Sequence, residues 1–148
     1  MITYAYRYKI KPTSQQIKQF EQYLSICRSV YNFAHAERKT WLESRKCQVD
    51  RCSIKSEYII PADIPFPNYN RQSAALTIAK SKLPHLKLVN AQCLQQVLKR
   101  LDKAWTDFFR MPCRGFPKFR NANRFRSFKF PKPNTICLEA GRVKLPSI

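Results

Sequence analysis

The chain has 148 residues, 44% of them hydrophobic, and carries 28 Lys and Arg against 9 Asp and Glu, a formal net charge of +19. That length allows one domain or two small intertwined modules, and the apolar share excludes a disordered basic tail. So large a positive excess strains a compact chain by self-repulsion and points to a polyanionic partner. A membrane is disfavoured as that partner, because no long apolar run, secretory segment or lipidation signature occurs.

Residues 2–10 alternate, with Ile2, Tyr4, Tyr6, Tyr8 and Ile10 on one side and Thr3, Ala5, Arg7 and Lys9 on the other. Period two with aromatic and β-branched residues predicts a half-buried strand with a basic outer face, ended by Pro12. Thr13 to Gln16 has the form of a capping box that opens a helix. Ile17, Phe20, Leu24, Cys27, Tyr31, Ala34 and Trp41 follow as an apolar stripe, in one long helix or two jointed near Ser25. Residues 44–68 break the pattern, and Pro61, Pro65 and Pro67 there predict an exposed excursion. A second helix runs from Asn70 to before Pro84, with Ala74, Ala75, Leu76 and Ile78 available for packing. A third starts near Asn90 and buries Leu94, Val97, Leu98, Leu101, Trp105 and Phe108. Its other face carries Gln92, Gln95, Gln96, Lys99 and Lys103. Such a face is either plain solvated surface or a nucleic-acid contact, in which glutamine reads base edges and lysine holds phosphate.

From Gly115 to Arg126 the chain interleaves cations with aromatics and contains no acid. Across residues 114–132, Arg114, Lys118, Arg120, Arg124, Arg126, Lys129 and Lys132 alternate loosely with Phe116, Phe119, Phe125, Phe128 and Phe130. Cations neutralise phosphates and aromatic faces stack on bases, so this segment reads as a nucleic-acid surface, with several of the phenylalanines in the core. Alternation predicts a strand over 125–130, with Phe125, Ser127 and Lys129 on one side and Arg126, Phe128 and Phe130 on the other. Short strands follow at 136–138 and 143–145 around a hairpin turn at 139–142. The order strand, helices, strands predicts an α+β fold: a small β-barrel or sheet built from the N- and C-terminal strands, with the helices inserted between them. A barrel stopping just after Leu145 would leave an open edge, so the sequence reads as truncated.

No catalytic constellation emerges. The acids are dispersed, and Asp102 and Asp107 lie five apart on one helix and so on different faces. No nucleophile elbow, phosphate loop or zinc-protease helix occurs. The cysteines at 27, 47, 52, 93, 113 and 137 are scattered; Cys47 and Cys52 form one loose pair with neither His35 nor His85 at ligand spacing. Reduced thiols of a cytoplasmic protein are the expectation, with no metal or other cofactor.

In this order the pieces resemble a known pattern. Arg7 to Thr13, Cys27 to Phe33, Tyr69 to Lys80, Leu94-Gln95 through Trp105 to Phe109, Gly115 to Arg120 and Gly141 to Pro146 are similar to the N-terminal part of TnpB. TnpB is the OrfB-type accessory transposase of insertion sequences, an RNA-guided DNA nuclease related to the type V CRISPR effectors. The resemblance implies a wedge β-barrel interrupted by a helical recognition module: residues 1–11 as first strand, 12–112 as helical module, and 113–148 as the remaining wedge strands. It implies guide RNA from the transposon end and double-stranded DNA as partners. Tyr69, Ser73 and Gln95 fall where the family contacts a target-adjacent motif, with Lys99 beside them; Arg7, Lys9, Arg114, Lys118, Arg120, Arg124, Arg126 and Lys129 fall to the RNA. A motif-contacting lysine of some members is Ala91 here, and position 130 is Phe rather than polar, so the motif read is expected to differ. The nuclease carboxylates and zinc-ribbon cysteines of the family lie beyond this sequence, which is therefore expected to bind without cleaving. A stand-alone basic DNA- or RNA-binding regulator of its element is the alternative, and an active nuclease is expected only if another chain supplies the catalytic domain.

Overall fold

The computed structural model describes residues 7–46, 60–111, 113–131, 135–137 and 141–145. They form three α-helices: α1 (Ser14–Ser44), α2 (Tyr69–Lys82) and α3 (Ala91–Arg110). A short 3-10 helix, Pro84–Leu88, links α2 to α3, and two strands follow, β1 (Thr135–Cys137) and β2 (Arg142–Lys144).

Side-chain caps set all three helix starts. At α1 the Thr13 N–H donates to Gln16 Oε1 at 3.0 Å and the Gln16 N–H donates to Thr13 Oγ1 at 3.3 Å, a reciprocal capping box. Asn68 Oδ1 accepts from the Arg71 N–H at 3.1 Å to start α2, and Asn90 Oδ1 accepts from the Gln92 N–H at 2.9 Å to start α3. Of the two layouts open for the first stripe, the structure takes the single helix. Ser29 Oγ donates back to the Ser25 carbonyl at 3.0 Å without interrupting it.

The barrel predicted from the sequence is overturned. The described residues are mainly helical, and their only sheet is the antiparallel β1–β2 hairpin, with Thr135 opposite Lys144, Ile136 opposite Val143 and Cys137 opposite Arg142. Gly141 turns it at a φ of 58°, where a side chain would be strained. Of the first predicted strand, residues 2–6 lie outside the described residues, and residues 7–10 form no strand. The segment 125–130 is no strand either. The cause is the spacing of its rings: Phe125 and Phe128, three apart, both pack on the helical core, which a period-two strand cannot achieve.

Residues 115–131 instead form an irregular strap in the groove between α1 and α3. Phe116 meets Trp105 and Phe108, each at 5.2 Å between ring centroids. Phe125 meets Tyr31 at 6.0 Å, and Phe128 meets Tyr23 at 5.6 Å and Phe20 at 6.2 Å. The strap thus meets ever earlier residues of α1 as it proceeds. The Asn32 amide holds it midway from both sides, donating to the Arg120 carbonyl at 2.9 Å and accepting from the Arg120 N–H at 2.8 Å. One side chain here does what a neighbouring strand would do, satisfying backbone groups that the groove takes from water.

Between α1 and α3 the core comprises Tyr23, Ile26, Cys27, Tyr31 and Ala34 against Cys93, Leu94, Val97, Leu98, Leu101 and Trp105. Burial pushes the Cys27 thiol up to about 12, helped by Cys93, and the Cys93 thiol up to about 11, so both stay protonated; neither is in a disulfide. The second helix departs from expectation. Ala74, Ala75 and Ile78 are exposed, and the one buried residue of α2 is Gln72. Gln72 Oε1 accepts from Arg38 Nε at 2.9 Å, while its amide donates to the Ala34 carbonyl at 2.9 Å and to Glu37 Oε2 at 2.7 Å. The buried Arg38 also donates to Asp102 Oδ1 at 2.9 Å. Of the residues expected to pack, Leu76 alone does so, beside Tyr69 and Ala79, and a buried polar network ties α2 to α1 and α3 as well.

His35 is buried under the strap, with the Phe119 ring edge-on at 4.6 Å. Its Nδ1 accepts from Trp105 Nε1 at 3.2 Å, which leaves the proton on Nε2. Nε2 has no partner of good hydrogen-bond geometry. Burial above all, then the charges of Lys39 and Arg38, lower the His35 pKa, and the Pro117 carbonyl opposes the shift. Because the folded pKa lies below the unfolded value of about 6.5, the unfolded state takes up the proton first on acidification. The stabilisation from neutral His35 is complete above about pH 6.5 and is lost as pH falls from there through the folded pKa. Chemical denaturation between pH 7.5 and pH 5, values of about the unfolded His pKa plus or minus one unit or so, should show stability falling with pH in the wild type and a flatter profile in His35→Phe.

Candidate nucleic-acid interface

Two basic surfaces lie side by side on this scaffold. The first is the α2–α3 hairpin. Lys80 Nζ at the end of α2 donates to the Val89 carbonyl just before α3 at 3.4 Å, and Lys99 Nζ of α3 lies 5.7 Å from the ring centroid of Tyr69 at the start of α2. These two contacts tie the end of α2 to the residue before α3 and the start of α2 to the middle of α3, as antiparallel neighbours do. Tyr69 and Ser73 are one turn apart on α2, as are Gln95 and Lys99 on α3, so each pair shares a helix face. Tyr69 and Ser73 are half-buried, whereas Gln95 and Lys99 are exposed. Of the four residues singled out for DNA contact, the structure thus joins Tyr69 to Lys99, 30 residues apart, with Ser73 and Gln95 one turn away on the same two faces. The exposed amide of Gln95 can offer a donor and an acceptor side by side, and Lys99 can hold a phosphate.

The second surface is the outer side of the strap. Lys118, Arg124, Arg126 and Lys129 are exposed and pair with no acid among the described residues. Arg124 sits in a tight turn whose backbone is capped by Asn121, the Arg124 N–H donating to Asn121 Oδ1 at 3.0 Å. Arg120 is half-buried, its guanidinium 6.0 Å from the Tyr31 ring centroid. Arg7 and Lys9 are exposed ahead of α1, and no described contact joins them to the strap. Arg114 differs from the other cations of this segment in having an acid partner, its Nη1 lying 3.4 Å from Asp107 Oδ2. That pair is partly solvated and holds the residue just ahead of the strap to the end of α3.

Sequence reasoning passed over Arg100 and Asn32. Arg100 lies next to Lys99 on α3, its guanidinium 5.4 Å from the Phe125 ring centroid and its Nη1 3.4 Å from Ser127 Oγ. It therefore leans on the strap, whereas Lys99 leans on α2. The only signal of this in the sequence is the pair of adjacent cations on the Gln/Lys face. Asn32 carries no signal at all, since its partner is backbone.

Among the described residues, no three or more His, Cys, Asp or Glu side chains are grouped so as to hold a metal ion, and no helix is long and apolar enough to cross a membrane.

Residues 1–47 match a helix-turn-helix domain family of the OrfB/IS605 type. Within that stretch the described residues from 14 to 44 form one continuous helix, so the turn that such a name implies is not found there. The chain is 26% identical over 146 residues to the putative RNA-guided DNA endonuclease InsQ of Escherichia coli strain K12, a match covering 97% of this chain and 32% of the relative. It thus spans about a third of that relative's length. No solved structure matches. Both matches make the chain similar to OrfB/TnpB-type sequences, and it fits an N-terminal fragment of such a protein.

Proposed function

We propose that the chain is the nucleic-acid-binding portion of a TnpB-like protein, in which the strap holds guide-RNA scaffold and the α2–α3 hairpin reads a short motif in duplex DNA. The observation that carries this is the juxtaposition of Tyr69, Ser73, Gln95 and Lys99 on adjoining helix faces, with Lys99 over Tyr69. It assembles an aromatic ring, a base-reading amide and a phosphate-holding cation on one surface, where Asp102, one turn beyond Lys99, is already paired with Arg38. Similarity to a protein named as an RNA-guided DNA endonuclease supports the choice of both nucleic acids. The reading assigns no cleavage step to this chain.

Two measurements test it. With roughly 6–10 phosphate contacts, log K for structured RNA or duplex DNA should fall against log salt with a slope of about −5 to −9; a slope near zero sinks the reading. On a randomised duplex library, Gln95→Ala should relax preference at one position, at about 1–3 kcal/mol for a lost bidentate contact. An unchanged preference would remove Gln95 from the interface. If the element's own 3′-end transcript binds no better than random RNA of equal length, a stand-alone basic binder describes the chain instead.

A further inference from the structure

Not all cations on the strap side are alike. Arg124 and Arg126 are exposed side chains with no described ring beneath them, whereas Arg100 and Arg120 each lie over one ring of a touching pair. Tyr31 and Phe125 form that pair, with centroids 6.0 Å apart, and both rings are buried. The two arginines reach it from different elements, Arg100 from α3 and Arg120 from the strap. Both are further restrained, Arg100 by Ser127 Oγ and Arg120 through the two hydrogen bonds that Asn32 makes to its backbone. Neither meets a carboxylate among the described residues.

A guanidinium lying over an aromatic face keeps its charge and turns its N–H edge outward, and it has surrendered rotamer freedom before any ligand arrives. Acid-free surroundings leave those donors for an incoming anion. We propose that Arg100 and Arg120, seated on the Tyr31–Phe125 pair, form a preorganised clamp for the phosphodiester backbone, and that they differ in kind from the exposed cations at 118, 124, 126 and 129, which no described ring seats. The clamp recognises phosphate through planar, forked donors, so lysine cannot replace arginine in it. This rests on the reading of the strap as a nucleic-acid surface and adds which of its cations set affinity, and by what chemistry.

The test uses the full chain with Arg100→Lys, Arg120→Lys and, as control, Arg126→Lys. Each variant is titrated with a labelled hairpin RNA and, separately, a labelled duplex DNA of random sequence, over a range of salt. All three substitutions conserve charge, so the salt slope should stay at the wild-type value. Arg100→Lys and Arg120→Lys should each bind about tenfold more weakly, the size of one lost charge-assisted hydrogen bond. Arg126→Lys should stay within about twofold, as a point charge suffices there. The arm that shows the loss, RNA or DNA, identifies the source of the phosphodiester. Equal affinity for all three variants and the wild type overturns the clamp. So does an equal loss in all three, which would mean that the ring-seated and the unseated arginines are used alike. A wild-type slope near zero would instead sink the underlying reading. Arg100 lies on an exposed helix face, so its variant keeps the test decisive should Arg120→Lys lower the thermal midpoint.

Discussion

Asp102→Ala should cost about 3 kcal/mol, the lower end of the range for breaking a buried ion pair by removing one partner. The loss would be read as a fall in the urea midpoint at unchanged slope. Arg38 is the reason: its side chain is 1% exposed, against 39% for Asp102, so the arginine would be left charged in a site that water does not reach. Burial already lowers the Arg38 pKa, with the hydrogen bond and charge of Asp102 opposing that shift. The lower end applies because Asp102 itself is partly solvated. Arg38→Met makes the opposite comparison. It removes the charge together with its desolvation, keeps most of the volume against Phe66, and leaves Asp102 able to reach water, so the cost should be about 1–2 kcal/mol, that of an orphaned acceptor on Gln72. If Arg38→Met proves as damaging as Asp102→Ala, the network stabilises through its geometry and not through charge pairing.

Trp105→Ala should be the most damaging single truncation, at about 3–5 kcal/mol. The indole is buried and touches Phe66 at 5.9 Å, Phe108 at 6.1 Å, Phe109 at 5.7 Å, Phe116 at 5.2 Å and His35 at 5.6 Å between centroids. It joins α1, α3, the strap and the loop ahead of α2, so no one element can collapse into the vacated space. Its N–H also satisfies His35 Nδ1. Trp105→Phe separates the two roles: it keeps most of the packing and loses the donor, and should cost about 1–3 kcal/mol. Against a typical total of about 5–15 kcal/mol, the alanine variant stands close to unfolding in mild denaturant. A loss below about 1 kcal/mol would show that the strap and the loop can repack without the indole.

The parts of the fold legible in the sequence were those written in local chemistry. Thr13 with Gln16 and Asn90 before Ala91 marked helix starts, and the Leu94 to Trp105 spacing marked the buried face of α3. The strap was misread because alternation of aromatic and basic residues carries the same pattern whether a segment pairs with strands or lies along helices. What decided against strands was a groove between α1 and α3, which no local pattern records. The Arg38 network was invisible for a related reason. A lone arginine in a basic chain reads as surface, and the acid that accepts it lies 64 residues away. Tyr69, Ser73, Gln95 and Lys99 entered as candidates through family resemblance, while Arg100 and Asn32 depended on which residues the strap happens to touch.

The bond between Asn32 and Arg120 closes a loop of 88 residues. During synthesis, α1 is made long before the residues that cover its inner face, and Phe128 must emerge before Tyr23 is packed. Contacts of such long sequence separation form late, because loop closure has to be met before they contribute. The cationic surface is therefore the last part of these helices to be assembled. A nascent chain halted before residue 120 would hold α1 and α3 with their shared groove still uncovered, an apolar face on which a chaperone or a second nascent chain could settle.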